Sequence, residues 1–211
     1  MTLSVKHACT VLVLALGGCA VFNRAPEQPP QIYVLRAAPS DMQAKPAETH
    51  LSVLVSAPKA WPGYDRARIA YVRNPLQVDY YAESEWADQP ARMLEPLLMT
   101  ALQESNLFNA VVSATSGAIA ELRIDTEIVH IHHEFLIAPS QGRVVIRAQL
   151  IDLTRNRVLD TRVFSATQSA PTEDAKGGVT AINNALEVIL GAIVDFWRDT
   201  LRKPVSEDLS S

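Results

Sequence analysis

Near the C-terminus, Ile182, Leu186, Ile189, Leu190, Ile193, Trp197 and Leu201 recur at the 3.6-residue period of an α-helix and form one unbroken apolar stripe. Such a stripe is stable in water only when another apolar layer covers it, so the rest of the chain must supply that layer. Arg202 and Lys203 suit the negative C-terminal end of this helix and Pro204 ends it, which leaves 204–211 as a frayed tail. A first helix is signalled by Asp88 and Pro90, followed by Met93, Leu94, Leu97, Leu98, Ala101 and Leu102 on one face. Pro96 inside that window removes a backbone donor and predicts a kink or a later start.

The covering layer reads as strands. Short candidates are Ile32–Leu35, Leu51–Val55, Arg68–Val72, Leu76–Tyr81 and Phe108–Val112. Trp61-Pro62-Gly63-Tyr64 reads as a turn, and Asn74-Pro75 joins the third and fourth candidates. Three longer strands follow over Glu121–Phe135, Arg143–Asp152 and Val158–Thr167, the last two linked as a hairpin through Thr154-Arg155-Asn156-Arg157. In the middle one, Val144, Ile146, Ala148 and Leu150 share a face, opposite Arg143, Arg147 and Gln149 with Val145 and Ile151. That is a sheet packed on one side and mostly wet on the other. The expected fold is a single α+β domain over 32–203: a mixed, mostly antiparallel sheet with two amphipathic helices packed on it.

Ahead of the domain, Lys6 and His7 precede the apolar run Ala8–Leu16, far short of the ~20 residues a membrane-spanning helix needs. It reads as a secretory signal peptide over 1–18. The sequence Leu16-Gly17-Gly18-Cys19 that closes it resembles the bacterial lipobox, which implies cleavage between Gly18 and Cys19 and acylation of Cys19. With Cys9 removed and Cys19 modified, neither of the two cysteines is left for a disulfide or a catalytic thiolate. The following stretch, 19–31, carries Pro26, Pro29 and Pro30 among polar residues and builds neither helix nor ladder. At ~3.1 Å per residue, the twelve residues from Ala20 to Gln31 reach ~37 Å from a membrane. Ala20 after the lipidated cysteine resembles the default signal for the outer membrane, so a lipid anchor on its periplasmic face is expected.

The chemistry is sparse. A formal net charge of −4 excludes nucleic acid as the main partner. No Gly-rich phosphate loop follows a strand and no Gly-x-Ser-x-Gly is present, so no cofactor and no enzymatic activity are expected. Ser56-Ala57-Pro58-Lys59 matches a Ser-x-x-Lys pattern, but Pro58 disfavours the helix on which those two side chains would meet. On a strand, His130, His132 and Glu134 share a face and could in principle ligate zinc or iron. Three positions on a single strand rarely close a metal site, so the cluster is expected to be a polar outer face, with no metal. Six of the 13 aromatic residues, Trp61, Tyr64, Tyr71, Tyr80, Tyr81 and Trp86, fall within 26 positions. Tyr71 suits the core, while Trp61, Tyr64, Tyr80, Tyr81 and Trp86 are candidate contacts for a partner or for lipid.

A lipobox, a Pro-rich tether, Tyr33-Val34-Leu35, Gly63-Tyr64-Asp65-Arg66 through Ile69-Ala70-Tyr71-Val72-Arg73, Tyr80-Tyr81, Trp86 with Pro90, and Ala181-Ile182-Asn183-Asn184-Ala185-Leu186 occur here in one order. Together they resemble the ABC-type transport auxiliary lipoproteins. The resemblance implies a non-catalytic outer-membrane lipoprotein that works beside an MCE-domain protein and its ABC transporter or permease, moving lipids or other apolar molecules between membranes. It also allows a ring-forming homo-oligomer. A lipoprotein that regulates cell-wall synthesis or builds a secretion channel would share the same tethered α+β plan.

Overall fold

The computed structural model describes residues 29–36 and 46–202; the leader, Gly18, Cys19, the tether up to residue 28 and the tail 204–211 lie outside them. The elements are β1 (Gln31–Tyr33), β2 (Ser52–Val55), β3 (Lys59–Ala60), β4 (Arg68–Asn74), β5 (Gln77–Trp86), α1 (Pro90–Glu104), β6 (Ala110–Ser113), β7 (Leu122–Glu134), β8 (Gln141–Asp152), β9 (Arg157–Ser169) and α2 (Ala175–Arg202).

Strand β7 is the axis of one curled mixed sheet. Its whole length pairs antiparallel with β8, from Leu122↔Asp152 to Glu134↔Gln141, and β8 pairs in turn with β9. The other edge of β7 is shared by three short parallel strands: β2 beside 122–124, β3 beside 127–128 and β4 beside 133–134. Strand β6 adds to β2, β5 to β4, and β1 to β5. The antiparallel ladders are the long ones and the parallel ladders are short, so the expected α+β class holds.

The apolar stripe of α2 lies on the inner face of β7, β8 and β9, with Ile182, Leu186, Ile189, Leu190, Ile193 and Trp197 buried. The approach is close enough to demand glycine. A Cβ on Gly142 of β8 would sit 2.3 Å from the Ile182 backbone nitrogen, and one on Gly178 would sit 2.4 Å from Nδ1 of His133. Helix α1 buries Pro90, Ala91, Leu94, Leu98 and Leu102, and it starts at Pro90 rather than beyond Pro96. Arg92 and Pro96 are both exposed, so the carbonyl that loses its partner to Pro96 falls on the wet side of the helix.

Two features depart from a plain alternation. Strand β3, absent from the sequence reading, is two residues long and exists because β7 offers an open edge there. In β7, a bulge between Ile128 and His130 inverts the phase. Leu122, Ile124, Thr126 and Ile128 face the core before it; Ile131 and His133 do so after it.

Candidate functional site

Past the bulge, His130, His132 and Glu134 share the outer face of β7, as period-two geometry predicts. That face is not wet. The turn Trp61–Tyr64, held by the Trp61 N–H to the Ile128 carbonyl (2.9 Å) and reversed at Gly63 (φ 95°), lays Tyr64 across it. Tyr64 Oη stands 3.0 Å from Nδ1 of His132 and 3.3 Å from Nδ1 of His130, and its ring stacks on His132 at 5.8 Å. The expectation of a polar outer face is corrected in this respect: His132 is 5% exposed, a buried group beneath an aromatic lid.

This environment keeps the two imidazoles neutral. Burial holds His132 down to about 4, against the Glu134 carboxylate, which lies 3.5 Å from its Nε2. Burial and then the Arg143 charge lower His130, and burial raises Tyr64. One phenol proton serves two imidazoles, so Tyr64 donates to one and accepts from the other. The ring nitrogens nearest each other are thereby occupied, and Arg143 stands 3.8 Å from Glu134. Among the described residues, no group of three or more His, Cys, Asp or Glu side chains converges as a metal site.

A second Tyr–His pair occupies the inner face one residue on. His133 is fully buried, with Nδ1 2.8 Å from Tyr81 Oη, Nε2 2.7 Å from Ser140 Oγ, and Gly178 of α2 against its ring. Burial pushes Tyr81 up to about 12 and lowers His133. The phenol therefore keeps its proton; when it donates to Nδ1, the Nε2–H is left to donate to Ser140. The Ser140 N–H donates to Glu173 at 3.0 Å, which holds that carboxyl below its ordinary range and ties the β7–β8 turn to the segment leading into α2. The sequence reading missed this network. Its signal was His133 itself, the one histidine of the run on the opposite face from His130 and His132.

The five aromatic contact candidates do not form one surface. Trp86 is 2% exposed and packs in the core with Leu94 and Leu98, so it presents nothing to a partner. Tyr64 is interior for the reason given. Tyr80, half-buried, donates to the Gly63 carbonyl at 3.0 Å under the Arg68 guanidinium, and Tyr81 is committed to His133. Trp61 is 45% exposed, beside His130. Tyr71, expected in the core, is half-buried and packs on Tyr81 at 4.9 Å. Ser56 follows the end of β2 and Lys59 begins β3, so no helical turn brings them together. They rim a polar recess of about 270 Å³ in which Arg123 pairs with Asp125 and Arg147 with Glu127.

These features define a single α+β module whose titratable clusters bond its own strands and loops together. The chain belongs to the family of ABC-type transport auxiliary lipoprotein components, whose model matches residues 33–194. It is thus assigned to a family of membrane-anchored lipoproteins that assist ABC-type transport. No curated protein matches its sequence. Among solved structures, a DUF330-family protein from Xanthomonas campestris is similar over 82% of this chain and 97% of its own, at 20% identity and a TM-score of 0.70. A hypothetical protein from Chlamydia trachomatis is similar over 73% of this chain and 99% of its own, at 10% identity and a TM-score of 0.51. At these identities the likeness shows a shared fold.

Proposed function

We propose that the chain is cleaved after Gly18, acylated on Cys19 and held at the periplasmic face of the outer membrane, where it docks the end of an MCE-domain assembly served by an ABC transporter or permease. The observation that carries this reading is the family match, which begins at residue 33, directly after a lipobox and a proline-rich spacer. Each buried acyl methylene adds ~0.8 kcal/mol to membrane binding and one myristoyl-length chain binds only reversibly, so several chains on one cysteine hold the domain durably. Ser140 Oγ stands on the His133 imidazole, but both residues are fully buried, so no substrate reaches that pair, and the role asks only for an anchor, a spacer and a contact surface. Trp61, the most exposed aromatic residue of the candidate set, is the contact we assign to that surface.

Cys19→Ala should release the folded domain from membranes and abolish function; a variant that still sediments with outer membranes refutes the anchor. Mass spectrometry of the crosslinked, detergent-extracted complex should recover an MCE-domain protein. Recovery of a peptidoglycan synthase instead would move the assignment to cell-wall regulation.

A further inference from the structure

The β4–β5 and β7–β8 hairpins end side by side. Tyr71 pairs with His133 and Val72 with Glu134, and the Phe135 N–H donates to the Val72 carbonyl at 2.8 Å, so the two turns leave the sheet in the same direction. Both are apolar where water should reach them: Leu76 is 96% exposed, Ile137 56%, and Leu136 and Val78 41% each. Residues 73–78 and 135–140 hold one charge between them, Arg73, whose guanidinium lies 5.2 Å over the Phe135 ring. Four exposed aliphatic side chains on two adjoining, nearly uncharged tips form a patch, whereas Ile119 and Val158 stand at the opposite end of the sheet, apart from it.

The direction of β1 says what faces that patch. Strand β1 runs parallel to β5, with Gln31 opposite Ser84 and Tyr33 opposite Trp86, while β5 begins at Gln77 beside the first tip. The N-terminal end of β1 therefore points toward the tips, which lie about 23 Å further along at ~3.3 Å per strand residue. The twelve-residue tether, with its reach of ~37 Å, covers that distance. The tether is thus long enough for a bilayer that holds Cys19 to meet the side of the domain where the exposed apolar side chains are.

We propose that the paired tips are a second foothold on that same bilayer, with Leu76, Leu136 and Ile137 seated at the boundary between headgroups and acyl chains. The lone basic residue, Arg73, lies level with the headgroups. The proposal rests on the anchor reading above and deepens it: the lipid retains the domain, and the tips fix which way it faces.

The mature lipidated chain would have no free thiol, so Ile137→Cys and, at the opposite end, Val158→Cys accept a single fluorophore at positions of similar exposure. The full chain is reconstituted into vesicles of phosphatidylethanolamine and phosphatidylglycerol that contain a nitroxide-labelled phosphatidylcholine. The label at 137 should be quenched several-fold more than the label at 158, and Leu76→Asp should reduce the quenching at 137 while flotation with vesicles persists. A chain that floats with both labels quenched equally, or neither quenched, overturns the foothold and leaves the anchor standing. Protection of the 137 label from aqueous iodide without lipid quenching would assign the tips to a protein surface, such as a second copy of this chain, and overturn the proposal. A wild-type chain that fails to float refutes the anchor reading and this proposal with it.

Discussion

Mild acid should loosen this domain, and His132 should account for much of the effect. Burial beneath Tyr64 holds the folded imidazole down to about 4, while in the unfolded chain it returns to its ordinary 6.5. Because the folded value is the lower one, the unfolded state takes up the proton first. His132 thus contributes its full stability above pH 6.5, and this is lost as pH falls toward 4. Between pH 7 and 5, the unequal proton uptake amounts to about 2 kcal/mol. For a domain of this size, that lowers Tm by about 4–8 °C. His130 and His133, both lowered by burial, act in the same direction. The carboxylates with lowered values do not interfere. Asp152, held at about 2 by the Thr154 and Arg155 hydrogen bonds against the opposing effect of burial, gives up its contribution only below its ordinary 3.8. Urea unfolding of the wild type and His132→Asn at pH 7, 6 and 5 isolates the effect, since the Asn amide oxygen can still accept from Tyr64. The wild type should lose about 2 kcal/mol more than the variant across that range. Equal losses in the two proteins would refute the assignment of a buried neutral imidazole.

Three further outcomes follow from packing and exposure. Gly142→Ala places a Cβ 2.3 Å from the Ile182 backbone nitrogen, which cannot yield without moving α2, so thermal melts should show at least the ~1–3 kcal/mol usual for overpacking. Trp86→Ala should cost about 3–5 kcal/mol as a core cavity, whereas Trp61→Ala should change stability by only about 0.5 kcal/mol and lower recovery of the partner in a crosslinked pull-down.

The parts of the fold legible in the sequence are those where one period runs uninterrupted. The α2 stripe, the hairpin of β8 and β9 and the inward set Val144, Ile146, Ala148 and Leu150 follow from spacing alone. The parts that were not legible depend on partners distant in sequence. Two residues become β3 only because β7 has an unpaired edge beside them. The polar spacing of His130, His132 and Glu134 was readable, but their burial was not, because the lid comes from Tyr64, 66 residues earlier than His130. The aromatic cluster failed as a surface for a related reason. Composition shows that Trp and Tyr are concentrated between 61 and 86, but β5 alternates its faces and carries Trp86 into the core while Tyr81 turns to His133. Conversely, the end of β7 was readable to within a residue, at Phe135, but the exposure of Leu136 and Ile137 beyond it was not, because it depends on what the fold leaves uncovered there.

The two histidine networks acquire a common role from their position. Both grip the last turns of β7, one on each face: Tyr64 from the loop after β3 on the outside, and Tyr81 of β5 with Ser140 and Gly178 on the inside. β4 meets β7 only at Tyr71↔His133 and Val72↔Glu134, a contact too short to hold the β4–β5 hairpin in register by itself. The Tyr81 hydroxyl on His133 adds a side-chain bond between β5 and β7 across β4, and Ser140 ties the neighbouring turn to Glu173 ahead of α2. Both apolar tips emerge from this cross-linked end of the sheet. Buried polar groups that would be costly if left unpaired are here fully paired, and their satisfied bonds fix a geometry that apolar packing alone would leave free to slide.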